Sequence, residues 1–232
     1  MVHIIQEGDI PKLMANIWDL LTESEQSLVM GNLEIRQFKK GNVIYKEDDE
    51  PTSLMCLLKG KVKIFKEGIG GRNQIMRLIR PVQYFGYRAY FASEPYVTEA
   101  AAFENSTMVF IPMTLIDTLI KENNQLAVFF IKELARDLGE SDERTVTLTQ
   151  KHIRGRLADS LIFLLDKYGT EGDGCTLNIY LAREDLANLS NMTTSNAIRT
   201  LSSFCNEGIV AVDGRKIKII DEMSLRKINL IG

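Results

Sequence analysis

The sequence predicts an α+β protein with an N-terminal β jelly roll, a long helix and a C-terminal winged helix-turn-helix. Three observations carry this prediction: seven short β-rich runs at regular spacing, a helical region with heptad spacing after them, and two short helices followed by a hairpin near the end of the chain. We expect residues 1–123 to form the jelly-roll domain, 124–150 the long helix and 151–232 the last domain.

The stretch from Asp9 to Asn32 is amphipathic at helical spacing. The run Thr22-Glu23-Ser24-Glu25 is typical of a helix start, so two short helices are expected here. The apolar side chains expected on the buried side are Leu13, Ile17, Leu20, Leu21, Leu28 and Val29.

After Asn32 the apolar period changes to two, which predicts strands. The expected strands are Leu33–Phe38, Val43–Tyr45, Leu54–Leu58, Lys61–Lys66, Gln74–Ile79, Thr98–Phe103 and Met108–Pro112. Glycine- and asparagine-containing turns separate them, and no helix is expected between them. Strands at this spacing predict a closed antiparallel sandwich or jelly roll.

The following helical region repeats its core positions in steps of four and three. The repeating residues are Ala127, Ile131, Leu134, Leu138, Ser141, Thr145, Leu148 and His152. This is the spacing of a coiled-coil seam, although an ordinary helix packed across its own barrel is the alternative. Because residues 137–150 are mostly polar and would bury little in a monomer, we expect a homodimer. Its interface residues would be Ile131, Leu134, Leu138, Thr145 and Leu148.

Residues 181–221 have the order of a winged helix-turn-helix. A first helix carries apolar residues at helical spacing, Ser190-Asn191-Met192 breaks it, and Thr193 is a natural N-cap for the next helix. The apolar stripe expected on that second helix is Ala197, Ile198, Leu201 and Phe204. The runs Ile209–Val212 and Lys216–Ile220, joined through Asp213-Gly214-Arg215, predict a hairpin.

The composition of the second helix favours DNA over the plainer interpretation of a small helical subdomain. Its outer face offers Thr194, Ser195 and Arg199, and no acidic residue occurs between Asn191 and Asn206. A helix of this kind lies in a DNA major groove. The side chains expected to bind DNA are Arg183, Thr193, Thr194, Ser195, Arg199 and Lys216.

Charge adds little to this prediction, since the chain carries a net charge of −3. From Lys151 onward the net charge is +1, so phosphate contacts must come from local placement of cations. No run of 18 apolar residues and no secretory signal is present, so we expect a cytoplasmic protein with no membrane partner. Cys56, Cys175 and Cys205 are far apart, as in reduced thiols without a metal.

At this point the chain resembles the family of the cyclic-AMP receptor protein and the fumarate-nitrate regulator, over nearly its whole length. The motifs that carry the resemblance are Lys40-Gly41-Asn42-Val43-Ile44, Leu58-Lys59-Gly60-Lys61-Val62, Tyr84-Phe85-Gly86, Gly155-Arg156-Leu157-Ala158 and Arg183-Glu184-Asp185-Leu186-Ala187. The resemblance implies a cyclic-nucleotide-binding-like jelly roll (a double-stranded β-helix) that senses an effector. It also implies transcription regulation, with RNA polymerase as an expected partner.

Departures from the family pattern argue against cyclic AMP. Where members that bind it carry Gly-Glu-Leu, this chain has Gly86-Tyr87-Arg88, and Val97-Thr98 stands where they have an Arg-Ser pair for the cyclic phosphate. Arg88 could substitute from another direction, and the cluster of Tyr87, Tyr90 and Tyr96 could form a pocket or plug the barrel. The expected effector pocket is Gly86, Tyr87, Arg88, Tyr96, Val97 and Thr98, with Ser141 and Asp142 of the long helix.

Other cofactors of the family fit poorly as well. An iron–sulfur cluster would need clustered N-terminal cysteines, and none precedes Cys56; a haem would have only His3 or His152 as an axial ligand. Two histidines outside the strands cannot build a cupin metal site, and no Ser/His/Asp set can be assembled, so no catalytic or metal-binding residue is expected. The effector therefore stays unknown. A ligand-responsive module without a DNA role is the alternative function.

Overall fold

The computed structural model describes residues 5–68 and 70–232, which divide into two compact units. The first unit takes in the described residues up to Glu67 together with Met76–Leu138, and the second takes in Gly68–Ile75 and Gly139–Gly232. His3, one of the two candidate haem ligands, lies outside the described residues.

The first unit begins with a 3-10 turn at Glu7–Asp9 and three helices. These are α1 (Ile10–Leu13), α2 (Ala15–Trp18) and α3 (Glu23–Asn32). The predicted start at Thr22 is confirmed, because its hydroxyl accepts from the Glu25 amide while its own amide donates to the Glu25 carboxylate at 2.7 Å. The prediction for Leu28 is wrong. Its side chain is 51% exposed, whereas Val29 and Met30, which follow it in α3, pack against the core.

Among the described residues of the jelly roll, eight strands form two four-stranded sheets. They are β1 (Glu34–Phe38), β2 (Val43–Tyr45), β3 (Ser53–Lys59), β4 (Val62–Glu67), β5 (Asn73–Ile79), β6 (Tyr84–Phe85), β7 (Glu99–Ala102) and β8 (Ser106–Pro112). The strand orders are β1-β8-β3-β6 and β2-β7-β4-β5. The pairs β1–β8, β8–β3, β3–β6, β2–β7 and β7–β4 are antiparallel. The predicted jelly roll is confirmed.

The expectation that no helix interrupts the strands is wrong. Helix α4 (Tyr87–Phe91) follows β6 directly, and Gly86 at φ +90° makes the turn between them. The sequence YRAYF is rich in aromatic residues, as strands are, and five residues are too few to show the 3.6-residue apolar period of a helix.

Two apolar cores lie on the two faces of the central strand β3. Met55 and Leu57 point into the jelly roll, where they pack with residues of both sheets, such as Met108 of β8 and Ile64 of β4. Leu54, Cys56 and Leu58 point the other way, into a core shared with the helices. The strand is thus apolar at every interior position.

Helices α5 (Met113–Glu122) and α6 (Asn124–Gln150) follow the jelly roll. The side chain of Asn123 caps the start of α6, since its Oδ1 accepts from the Gln125 and Leu126 amides at 3.1 Å. Leu126 and Phe130 are buried in the helix-side core, whereas Ile131 and Leu138 are each 63% exposed.

The C-terminal part of the second unit contains two helices and a hairpin in the predicted order, together with two helices that were not predicted. Its elements are α7 (Ile153–Tyr168), α8 (Arg183–Leu189), α9 (Thr194–Asn206), β9 (Val210–Asp213), β10 (Lys216–Ile219) and α10 (Glu222–Ile231). The hairpin β9–β10 is antiparallel, with Gly214 at φ +56° in its turn. Helix α10 was not predicted. It packs along α7 and is capped by Asp221, which accepts from the Ser224 amide at 2.9 Å.

Candidate DNA-reading surface and effector site

Helices α8 and α9 are held together by small and branched apolar side chains. Leu186, Ala187 and Leu189 of α8 are buried, as are Ala197, Leu201 and Phe204 of α9. Thr193 caps α9 as predicted, its hydroxyl accepting from the Asn196 amide at 3.2 Å. The pair is therefore a helix-turn-helix with a defined start to its second helix.

The outer face of α9 is exposed and almost uncharged. Thr194, Ser195 and Arg199 all lie on it, and among the described residues Arg199 has no ion pair or hydrogen bond. Ile198 lies there too, at 47% exposure, so its prediction as a buried stripe residue is wrong. The positions 194, 195, 198 and 199 share one face at helical spacing, and that spacing is the signal that could have placed Ile198.

Arg154 at the start of α7 fixes the far end of α9. Its guanidinium donates to Glu207 Oε1 at 2.8 Å and to Ser203 Oγ at 3.1 Å, and it lies 4.7 Å from the centroid of the Phe204 ring. The hydrogen bonds from Arg154, and then from Ser203, hold the pKa of Glu207 below its usual value. Both ends of α9 are thus anchored, and its outer face is left free.

Two of the cations expected to bind DNA, Arg183 and Lys216, already have protein partners. Arg183, the first residue of α8, donates to the Gly214 carbonyl in the turn at 2.7 Å, and its second terminal nitrogen is buried with no hydrogen-bond partner among the described residues. Lys216 Nζ lies 3.2 Å from Glu171 Oε2 and 5.2 Å from the centroid of the Tyr180 ring. Arg183 therefore joins α8 to the hairpin turn.

In the jelly roll, Gly86 occupies a crowded position with a left-handed backbone. A Cβ built there would lie 2.4 Å from Met55 Cε, 3.0 Å from the Ser53 carbonyl oxygen and 3.1 Å from the Tyr96 hydroxyl, at a φ of +90°. Glycine is favoured because the dihedral angle is strained for any other residue and because a side chain would displace these neighbours.

Tyr87 does not point into the jelly-roll core. It is buried on the helix side, with its ring centroid 5.2 Å from that of Phe130, and its hydroxyl donates to Asp137 Oδ2 at 3.3 Å. Arg77 forms an ion pair with the other oxygen of Asp137 at 2.6 Å. Burial, followed by the nearby Asp137 carboxylate, raises the pKa of Tyr87, so its phenol stays protonated.

Tyr96 fills part of the interior instead. Its ring stacks on that of Tyr45 with centroids 3.8 Å apart, and both residues belong to the jelly-roll core. The Tyr45 hydroxyl and Thr98 share a hydrogen bond. Arg88 is exposed and paired with Glu94 at 2.7 Å, and Val97 is exposed as well.

The remaining candidates lie elsewhere in the chain. Ser141 and Asp142 are exposed residues of α6 and belong to the second unit. Burial raises the pKa of the Cys56 thiol to about 12, and His152 stands before α7 as its N-cap residue. Across residues 5–68 and 70–232, no group of three His, Cys, Asp or Glu side chains could hold a metal ion. No helix within those ranges is long and apolar enough to cross a bilayer.

Comparisons with known proteins match both parts of the chain. Residues 35–123 match the family model of the cyclic nucleotide-binding domain, and residues 155–228 match that of the Crp-like helix-turn-helix domain. The chain is 22% identical over 214 residues to the CRP-like cAMP-activated global transcriptional regulator of Mycobacterium tuberculosis, which covers 92% of this chain and 96% of that protein. It is 26% identical over 195 residues to the transcriptional regulatory protein btr of Bordetella pertussis, which covers 84% of this chain and 79% of that protein.

Solved structures have the same fold. The structure of FixK2 from Bradyrhizobium japonicum superposes with a TM-score of 0.77 at 21% identity, covering 85% of this chain and 97% of that one. A putative transcriptional regulator of the crp/fnr family from Eubacterium rectale also gives 0.77, at 19% identity, covering 92% and 97%. At such identities the likeness establishes the fold.

The conformation at Gly86 yields a prediction about stability. Gly86→Ala should lower the free energy of unfolding by about 2–4 kcal/mol, because the methyl group meets Met55 and Tyr96 at a dihedral angle unfavourable for alanine. Gly139→Ala is the matched control. It lies in α6 with no atom within 4 Å of the new Cβ, so it should raise stability by up to about 1 kcal/mol. Urea unfolding of both variants makes the measurement, and a neutral Gly86→Ala would contradict the prediction.

Proposed function

The chain belongs to the family of the cyclic-AMP receptor protein and the fumarate-nitrate regulator, and we propose that it works as a homodimer that reads an inverted-repeat operator. It is a DNA-binding transcription regulator. The alternative of a ligand-responsive module without a DNA role has no support, since a Crp-like helix-turn-helix follows the jelly roll. We propose further that it acts by binding alone, without catalysis, and with RNA polymerase as its partner at promoters.

The observation that carries the proposal is the free outer face of α9. Arg199 can offer a bidentate fork to the O6 and N7 acceptors of guanine, and Thr194 can contact a thymine methyl or a phosphate. Ser195 can donate or accept, so it discriminates less between bases. Ile198 adds an apolar contact suited to a thymine methyl group.

Phosphate contacts would come from the flanks of α9. Thr193 stands at its N-terminus, where backbone amides and the helix dipole favour an anion. Arg183 would support these contacts by holding the Gly214 carbonyl of the hairpin turn, and Lys216 lies on the hairpin, where an exposed phosphate could compete with Glu171. These contacts would orient the protein, and the four positions of α9 would select the sequence.

The homodimer is supported by the exposed apolar side chains of α6. Ile131 and Leu138 point away from the core of their own subunit, and Thr145 is exposed in line with them. Leu134 and Leu148 are half-buried, and Leu134 packs against the helix-side core of its own chain. The pairing would therefore rest on Ile131 and Leu138 more than on Leu134. A two-fold pair would place two α9 helices on half-sites about 34 Å apart.

The effector site is proposed at the segment from Gly86 to Thr98, with a ligand other than cyclic AMP. The relative from M. tuberculosis is cAMP-activated by its name, but this chain has exposed Val97 at the phosphate position and buried Tyr87 at the ribose position. Loss of one charge-assisted pair to a phosphate weakens binding by about 1.5–3 kcal/mol. Tyr96, stacked on Tyr45, would leave space for a small ligand only or serve in place of one.

The first prediction from the proposed function concerns base recognition. Arg199→Ala should cost about 1–3 kcal/mol per half-site and relax the preference at a single G:C pair, because only the guanine fork is lost. The base preference is measured by selecting bound sequences from random duplexes with the wild type and with Arg199→Ala. Lys216→Ala is the comparison variant, and it should weaken all duplexes alike and reduce the salt slope by about one. An operator without two-fold symmetry, or an unchanged G:C preference in Arg199→Ala, would contradict the assignment.

The second prediction concerns assembly. Leu138→Asp should convert the dimer to a monomer at micromolar concentration, because pairing would bury two facing carboxylates at an apolar position. Gln150→Asp adds the same charge at an exposed position off the stripe and should stay dimeric. Sedimentation of the three proteins decides the matter, and a monomeric wild type would refute the homodimer.

The third prediction concerns the ligand. Calorimetry with cyclic AMP should give a dissociation constant in the millimolar range or no heat of binding, since Val97 offers the cyclic phosphate no cation. If cyclic AMP binds at micromolar concentration, and Arg88→Gln abolishes that binding, Arg88 is the phosphate ligand and the pocket accepts the nucleotide.

A further inference from the structure

The turn between α8 and α9 sets where the reading helix begins. It comprises Ser190, Asn191 and Met192, and Thr193 caps α9 immediately after it. Asn191 has a φ of +48°, the left-handed conformation that asparagine adopts more readily than most other non-glycine residues. A shift of this turn would move Thr194 and Ser195 directly, because they form the first turn of α9.

Part of the support for the turn comes from within the helix-turn-helix. Ser190 is fully buried, and its hydroxyl lies 2.8 Å from Ser160 Oγ of α7 and 2.9 Å from the Leu186 carbonyl oxygen. The Met192 amide donates to the Ala187 carbonyl at 3.0 Å. These bonds satisfy the Leu186 and Ala187 carbonyls near the C-terminal end of α8.

The last carbonyl of α8 is bound by Arg144, a residue of α6. One guanidinium nitrogen, Nη2, donates to the Leu189 oxygen at 2.8 Å and to the Ile75 oxygen at 2.7 Å. A cation is favourable at a helix C-terminus, where the carbonyl groups lack intrahelical partners. Burial lowers the pKa of Arg144, and its Nε is buried without a hydrogen-bond partner among the described residues.

A second arginine reaches the same turn. Arg72 donates from Nη2 to the Asn191 side-chain oxygen at 3.2 Å, and both Arg72 and Ile75 belong to the segment Gly68–Ile75 that clusters with the second unit. The turn is therefore held on one side by Ser160 and on the other by two arginines outside the helix-turn-helix.

We infer that Arg144 is a positioning residue for DNA reading, which holds the turn before α9 in place with Arg72 as its auxiliary. The inference rests on the proposed use of α9 as the reading helix. Arg144 does not contact DNA in this scheme, because its Nη2 is engaged by two main-chain carbonyls. It should therefore affect the preference for one sequence over others, and leave the electrostatic attraction to any duplex unchanged.

The experiment compares Arg144→Gln with Arg136→Gln in the full-length protein. Arg136 lies on the same helix, exposed and paired with Glu133, so its loss removes the same charge outside the second unit. Affinity is measured for the duplex that the wild type selects and for a random duplex, over a range of salt concentrations. Arg144→Gln should bind the selected duplex about tenfold more weakly, as expected for loss of one charge-assisted hydrogen bond. Its affinity for the random duplex and its salt slope should equal those of Arg136→Gln.

Two further measurements separate positioning from a general loss of structure. Hydrogen exchange at the Met192 and Asn196 amides should be faster in Arg144→Gln, and Arg72→Gln should show the same change to a smaller degree. If Arg144→Gln fails to fold, Arg144→Lys replaces it in the same assay, since lysine keeps the charge but lacks the planar guanidinium.

Each outcome bears on the inference in one direction. A selected-to-random affinity ratio equal to that of Arg136→Gln overturns it, and so does a salt slope reduced by about one, which would mean a direct phosphate contact. Failure of the wild type to select any sequence would instead refute the proposed operator. A wild type that selects a sequence, with Arg144→Gln selecting it equally well, refutes the positioning role alone.

Discussion

Burial of strand β3 on both faces is the constraint on which the first unit depends. The side chains on one face of β3 lie in the interior of the jelly roll, and those on the other face pack against the helices. Both apolar cores therefore depend on this strand. β3 also pairs with β8 along most of its length, and β8 is buried in the same two-sided way at Val109 and Phe110. Because this pair of strands has two apolar faces, both faces must be buried. The second sheet of the jelly roll covers one face, and the helices before and after the jelly roll cover the other.

Much of this architecture could be predicted from the sequence because the period of apolar residues is a local property. The boundaries of β2 were predicted to the residue, and the Thr22 cap and the Thr193 cap follow from side-chain chemistry that acts within four residues. The errors arise where tertiary contacts decide. Helix α4 is too short to show a period, and Leu28 and Val29 are adjacent apolar residues of which the fold covers one.

The same distinction applies to the candidate sites. The polar face of α9 was visible in sequence, because its short hydroxyl side chains and single arginine stand at helical spacing without any acid. Ile198 was misplaced because hydrophobicity alone does not tell a buried position from an exposed one. The bonds that Arg144 makes to two carbonyls could not be predicted, since carbonyl acceptors carry no sequence signature. In the jelly roll, the direction of Tyr87 depends on Asp137, which lies 50 residues later in the chain.

The two sides of α6 have a consequence for the proposed homodimer. Phe130 is wedged against Tyr87 and Phe91, with ring centroids 5.2 and 5.6 Å away, while its neighbour Ile131 faces outward. Because the two residues are adjacent, any rotation of α6 that changed the direction of Ile131 would also move Phe130 out of its contacts with Tyr87 and Phe91. The packing of Phe130 therefore fixes the direction in which Ile131 and Leu138 are exposed, and a second subunit would have to bind α6 in that orientation.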